Sequence, residues 1–105
     1  MASYADRAAI KRKLNITWDD EMTDKRVDDV IETAGAALGR AIGLDISDAE
    51  SMSRLGRPDM AGLLANACFY EWSNALDEFW LNYADEIQRA RLETEMTAVS
   101  ADAQV

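Results

Sequence analysis

Residues 60–93 read MAGLLANACFYEWSNALDEFWLNYADEIQRARLE, and this stretch decides the fold class of the chain. It contains neither proline nor glycine after Gly62. Its apolar residues recur at spacings of three and four, the period of a helix with one buried face. The stretch therefore predicts one uninterrupted helix of about 50 Å at 1.5 Å per residue. A compact chain of this length has a radius of gyration of about 13 Å, so such a helix spans the fold and favours an interface over a cleft.

One arc of the predicted helix collects most of its apolar side chains, if each residue turns the helix by about 100°. We expect this arc to be the core face, and its members are Ala65, Cys68, Phe69, Trp72, Leu76, Phe79, Trp80, Tyr83, Ile87 and Ala90. Leu63, Tyr70 and Leu81 fall on the opposite, polar side. They are candidates for an interface stripe, and the alternative is that they are ordinary scattered surface hydrophobes.

Earlier segments predict a helix over about residues 3–14, a second ending at Gly43, and a short third one near residues 48–55. Gly35 and Gly39 lie four residues apart in the second helix and leave its surface nearly bare, so we expect a bulky aromatic to pack across them. The alternative places both glycines on a solvent face. Ile16 and Trp18, in the acidic connection before this helix, are expected to turn inward. The predicted fold is all-α, a bundle of three to four helices with one long C-terminal helix.

The helical pattern stops after Glu93. Residues 94–105 are small and polar, without the apolar area that would offset the entropy of ordering them alone. We predict one helical domain over residues 1–93, followed by a flexible tail or an arm that orders on a partner at residues 94–105.

The residue types make most catalytic and metal sites improbable. The chain has no histidine, the commonest general base and metal ligand. Its one cysteine, Cys68, lies on the apolar arc, which is typical of a small buried hydrophobe. The acidic run from Asp19 to Asp24 lacks the turn glycine of a calcium loop and has Met22 at a ligand position. We therefore expect no enzyme activity, no metal and no cofactor, and the absence of a long apolar run predicts no membrane segment.

The net charge of −9 is unevenly distributed. Residues 1–14 carry a net charge of +3, whereas residues 15–105 carry −12. A basic element on an acidic body favours front-to-back association of identical subunits, which closes into a ring when the rotation permits. The alternative is a solvated basic face without a partner. The candidate cations are Arg7, Lys11, Arg12 and Lys13. An acidic body repels phosphate, so sequence-specific nucleic-acid binding is not expected.

The chain resembles the head-to-tail connector, or adaptor, proteins of tailed bacteriophages over about residues 5–93. The resemblance is carried by three motifs: KRKLNI at residues 11–16, DDVIETA at residues 28–34, and LL at residues 63–64 followed by YEWSNALDEF at residues 70–79. It implies small helical subunits in the virion that form a ring, dodecameric on the portal, beneath the portal vertex. It also implies a docking platform for tail or stopper proteins, assembly in the host cytoplasm, and no catalytic residues. The sequence departs from the family in having no obvious long hydrophobic docking arm, so the resemblance assigns no arm residues to the portal contact.

A competing interpretation is a monomeric acidic helical module that mimics nucleic acid or inhibits a basic partner, since the net charge fits it equally well. An enzyme that uses a carboxylate pair is a third possibility. Assembly discriminates between the first two, because a connector forms a ring on its portal and a mimic acts as a monomer or dimer.

Overall fold

The computed structural model describes the backbone of residues 4–103 and the side chains of residues 4–96. Within this range the chain forms helices and no strands. The helices are α1 (Arg7–Lys13), α2 (Glu21–Ile42), α3 (Ala49–Met52), α4 (Pro58–Trp72), α5 (Leu76–Asn82) and α6 (Ala84–Ala103), with one 3-10 turn at Ser53–Gly56. The predicted all-helical class is confirmed, with more and shorter helices than the three to four expected.

The predicted uninterrupted helix over residues 60–93 is wrong. It is divided into α4, α5 and α6 by breaks at residues 73–75 and at Tyr83. The first break depends on Asn74, whose φ of 56° lies in the left-handed region. Asparagine is one of the few residues other than glycine that adopt this conformation readily.

Three helices end in the same way, with one left-handed residue and two returning hydrogen bonds. After α4, the amides of Asn74 and Ala75 donate to the carbonyls of Glu71 and Tyr70, at 3.0 and 2.8 Å. The same pair of bonds follows α1, where Asn15 has a φ of 61°, and α2, where Gly43 has a φ of 89°. This arrangement is the Schellman motif, which satisfies the last free carbonyls of a helix. The predicted left-handed end at Gly43 is therefore confirmed.

Helices α2 and α4 pack along each other and form the centre of the fold. They are antiparallel, because the guanidinium of Arg26 near the start of α2 lies 4.3 Å from the ring centre of Trp72 at the end of α4. The buried core extends from these two helices to α1, the 3-10 turn, α5 and α6; its largest fully buried side chains are Phe79, Ile31, Leu38, Ile42, Leu55, Met60, Val27 and Cys68.

Helices α1 and α6 lie on opposite sides of α4. On the α1 side, Ala61, Leu64 and Ala65 of α4 line a hollow with residues of α1. On the α6 side, Asp59, Leu63 and Asn66 of α4 line a groove with residues of α6. At 3.6 residues per turn, these two sets of α4 residues point in opposite directions.

The bare surface of α2 is filled as the sequence predicted. Tyr4 lies across Gly35, where an added Cβ would come within 2.7 Å of the Tyr4 Cζ atom. Gly39 is covered by the sulfur of Met52, which would lie 2.9 Å from an added Cβ. A bulky aromatic therefore packs over the first glycine, and a flexible thioether packs over the second.

Two side chains that were predicted to be buried are exposed, but most of the predicted core face is correct. Ile16 is buried as expected, but Trp18 is 53% exposed and its indole N–H donates to the Thr23 hydroxyl at 3.3 Å. On the predicted core face, Phe69 is exposed. The remaining members of that face are buried or half-buried. Although the breaks divide the predicted helix, most apolar side chains of the arc still face the core.

Candidate interaction surfaces

The first candidate surface is the α1–α2 corner, formed by residues 6–28, where the predicted interface cations of α1 meet the start of α2. Arg7 makes a two-pronged contact with Asp28: its Nε and Nη2 donate to the two carboxylate oxygens at 2.8 and 2.6 Å. Such paired, charge-assisted bonds are stronger than neutral ones. The hydrogen bond from Arg7 lowers the pKa of Asp28 below its ordinary value and raises that of Arg7.

Lys11 is drawn into the protein at the same corner. Its side chain is 9% exposed, and its Nζ donates to Asp24 at 2.7 Å and to Asp19 at 2.9 Å. Both hydrogen bonds raise the pKa of Lys11, with the bond to Asp24 the larger cause. A nearly buried lysine requires such partners, because an unpaired charge away from water is strongly unfavourable.

Arg12 and Lys13 differ from the other two cations of the predicted set. Both are exposed in the last turn of α1, and neither has an ion pair within the described residues. Folding therefore neutralises Arg7 and Lys11 inside the subunit and leaves Arg12 and Lys13 at the surface. The interface role of all four stays a prediction.

The predicted stripe of Leu63, Tyr70 and Leu81 is not continuous, because the break at Asn74 places its last member on another helix. Leu63 is half-buried against the groove between α4 and α6. Tyr70 is also half-buried, and its ring centre lies 5.7 Å from that of Phe79 and 5.8 Å from that of Tyr83. Leu81 is 80% exposed. The stripe thus contributes one exposed apolar side chain, and its interface role also stays a prediction.

An aromatic cluster packs α4, α5 and the connection between α5 and α6 against one another. Phe79 is fully buried, and its ring contacts those of Tyr70, Trp80 and Tyr83, with centres 4.9–5.7 Å apart. The Tyr70 hydroxyl accepts a hydrogen bond from Asn82 at 3.2 Å. These contacts fix α5 against the core by one face and leave its other face to solvent.

The segment from residue 58 to residue 88 contains no lysine or arginine, and we call it the cation-free segment. Its carboxylates are Asp59, Glu71, Asp77, Glu78, Asp85 and Glu86. Asp59 lies 3.9 Å from Arg54. The other five have no ion pair within the described part of the chain. The net charge of the whole chain does not reveal this segment, although the absence of cations over 31 consecutive positions is visible in the sequence.

Helix α6 contacts the last turn of α2 and continues well beyond that contact. Arg91 Nη1 donates to the carbonyl of Ala41, in the last turn of α2, at 3.4 Å. The groove beside it is bounded by Asp59 in the first turn of α4 and by Glu93 of α6. Beyond Arg91 the helix runs to Ala103, about 18 Å further. We call residues 92–103 the overhang; Leu92 and Met96 in it are 49% and 69% exposed.

The predicted flexible tail overlaps the overhang. Helix α6 crosses the predicted boundary at residue 93 without a break and is helical to Ala103. The division at residue 93 and the flexibility of the tail stay predictions, and residues 104–105 lie outside the described residues.

The described residues 4–96 contain neither a metal-binding cluster nor an exposed thiol. No group of three or more carboxylates and thiols there could hold a metal ion. Cys68 is fully buried, and burial raises the pKa of its thiol to about 12. No described helix is long and apolar enough to cross a membrane.

Comparison with known proteins gives no match: no family model, no curated protein and no solved structure is similar to this chain. The resemblance to phage connector proteins rests on the sequence motifs alone.

Proposed function

We propose that the chain is a structural virion protein of a tailed bacteriophage that acts as a head–tail adaptor. In this role, copies of the chain form a ring beneath the portal vertex and offer a docking platform to tail or stopper proteins. The partners are the portal protein, the tail or stopper protein and further copies of this chain, and the role requires no catalytic residue, metal or cofactor.

The overhang is the observation that carries the proposal. It extends about 18 Å beyond Arg91, whose side chain donates to the carbonyl of Ala41 in α2, and Leu92 and Met96 lie on it as exposed apolar side chains. Apolar side chains that a helix leaves exposed on its own subunit are available to a neighbour, and packing of an apolar face is the main source of helical stability in proteins. An adaptor needs such a projecting element to contact a neighbouring protein.

The proposal is tested by binding to the portal protein encoded in the same genome. We expect the full chain to co-sediment with assembled portal, and electron microscopy to show added density in a ring on the portal. A chain ending at Glu93 keeps the buried Ala90 and the groove contacts of α6, so it serves as a folded control that lacks most of the overhang. We expect this control to lose binding while keeping its helical circular dichroism.

A genome without a portal gene, or a portal that fails to bind the full chain, would overturn the adaptor proposal. Binding that survives removal of the overhang would instead show that other surfaces carry the contact.

One observation favours the alternative, a monomeric acidic module that occupies a basic partner. The pairing of Arg7 and Lys11 inside the subunit leaves fewer cations at the surface than the sequence suggests. The same portal experiment decides between the two, because the acidic module predicts a monomer without affinity for the portal.

A further inference from the structure

We propose that the exposed face of α5 docks on the end of α1 of a second copy of this chain, with Asp77 and Glu78 meeting Arg12 and Lys13 around Leu81. The inference rests on the self-association in the proposed function and names the surfaces that make it.

The α5 face combines charge with an apolar centre. Leu81 follows Asp77 by four residues and Glu78 by three, so the three side chains share one face of the helix. All three are exposed, Leu81 to 80%, while Phe79 on the opposite face is fully buried. Scattered surface leucines are common, but this one is bordered by two carboxylates that have no ion pair within the described residues.

The end of α1 has the complementary charge. Arg12 and Lys13 are exposed and have no ion pair in residues 4–96. Lys11 is held inside by Asp24 and Asp19, so Arg12 and Lys13 are the two α1 cations left for a partner. Two unpaired carboxylates and two unpaired cations on the same chain can satisfy one another only between molecules if they lie on different sides of it.

They do lie on different sides. Helix α1 packs on the side of α4 that carries Ala61 and Ala65. Helix α5 packs on the other side of α4, where the ring of Tyr70 lies 5.7 Å from that of Phe79, and at 3.6 residues per turn Tyr70 points away from Ala61. A contact between α5 of one copy and α1 of the next is therefore heterologous, and its repetition builds a chain of subunits that can close into a ring.

Charge exchange with the free protein tests this contact directly. One variant carries Arg12→Glu and Lys13→Glu, and the other carries Asp77→Lys and Glu78→Lys. In sedimentation velocity at low ionic strength, we expect the wild-type chain to associate as its concentration rises toward about 1 mM. Each variant alone should associate at least about tenfold more weakly, since every contact changes from attraction to repulsion. An equimolar mixture of the two variants should recover wild-type association, because each can dock on the other.

The matched control carries Glu21→Lys and Asp29→Lys, which change the net charge as much as the α5 variant does, at exposed positions of α2. We expect it to associate like the wild type. A separate variant, Leu81→Ser, should weaken association at low and high salt alike, whereas the effect of the charge variants should shrink as salt screens the pairs. Thermal melts of each variant check that it is folded.

A wild-type chain that stays monomeric at about 1 mM and low salt would overturn the contact, as would a mixture of the two variants that associates no better than either alone. Portal binding is measured separately. If the wild-type chain binds portal but the mixture of variants does not recover association, the adaptor function stands and this interface is wrong. If the mixture recovers association but the wild-type chain does not bind portal, this interface stands and the adaptor function is wrong.

Discussion

The two sides of α4 differ in how their charges are paired and how closely their side chains pack. On the α1 side, Arg7 and Lys11 are bonded to carboxylates of the α1–α2 corner, and Tyr4 fills the bare surface at Gly35. On the α6 side, most carboxylates of the cation-free segment have no ion pair within the described residues, and Leu81 lies exposed among them. Net charge therefore says little about which charges a surface presents to a partner, because folding pairs the cations of one side and leaves carboxylates of the other without an ion pair among the described residues.

The largest expected effect concerns how the α6 side is stabilised without ion pairs. Phe79→Ala removes a fully buried ring that contacts three other aromatics, so we expect a loss of about 3–5 kcal/mol in the free energy of unfolding. Leu81→Ala, two residues away and exposed, should change it by less than about 0.5 kcal/mol. Urea denaturation measures both. Equal losses would show that α5 does not separate a buried face from a free one.

The second expected effect depends on the close packing of the α1 side. A Cβ added at Gly56 would lie 2.5 Å from the Tyr4 carbonyl oxygen, so Gly56→Ala should cost about 1–3 kcal/mol through displacement of that segment. Gly62 in α4 has no atom within 4 Å of an added Cβ. Gly62→Ala should therefore stabilise the chain by about 0.4–1 kcal/mol. Thermal melts that show the same change for both would refute the difference in packing.

The third effect concerns the pairing of the α1 cations. Lys11→Met keeps most of the side-chain stem but leaves Asp24 without its closest cation, so we expect the Tm to fall by about 5 °C. Arg12→Met removes an exposed cation without an ion pair among the described residues and should leave the Tm nearly unchanged. Differential scanning calorimetry of the two variants measures the contrast. A Tm of Lys11→Met that matches the parent would mean that the corner is not stabilised by its charges.

The smallest effect is the response to acid. The hydrogen bond from Arg7 holds the pKa of Asp28 below its ordinary value of 3.8, so the folded state binds a proton less readily than the unfolded state does. The resulting stability is present above the unfolded pKa and is lost as the pH falls through the lower, folded one. We expect the Tm to fall below about pH 4, and to fall less steeply in Asp28→Asn.

Asp45 supplies the internal control for the acid experiment. Its pKa is also lowered, first by a hydrogen bond from the Ser47 hydroxyl, so Asp28→Asn should reduce the acid sensitivity and not abolish it. If Asp28→Asn does not change the fall of the Tm at low pH, that fall is caused by other carboxylates.

Hydrophobic period and turn residues predicted much of the fold. They gave the left-handed end of α2 at Gly43, the aromatic over Gly35 and most of the core face. The break at Asn74 was missed because neither glycine nor proline marks it, although Asn15 ends α1 by the same motif. Asparagine after an apolar helical run was the available signal. The pairing of individual charges could not be predicted from the sequence, because Lys11 and Asp24 come together only when α1 packs on α2.

The reactivity of Cys68 reports how often the core of the fold opens. The side chain lies on α4 with no exposed surface, and its thiol pKa of about 12 leaves almost no thiolate at neutral pH. A thiol reagent can therefore react only during the moments when α4 separates from its neighbours. The labelling rate in native buffer reports how often the centre of the bundle opens, and docking of another molecule across the bundle would appear as a slower reaction at a cysteine that the partner does not touch.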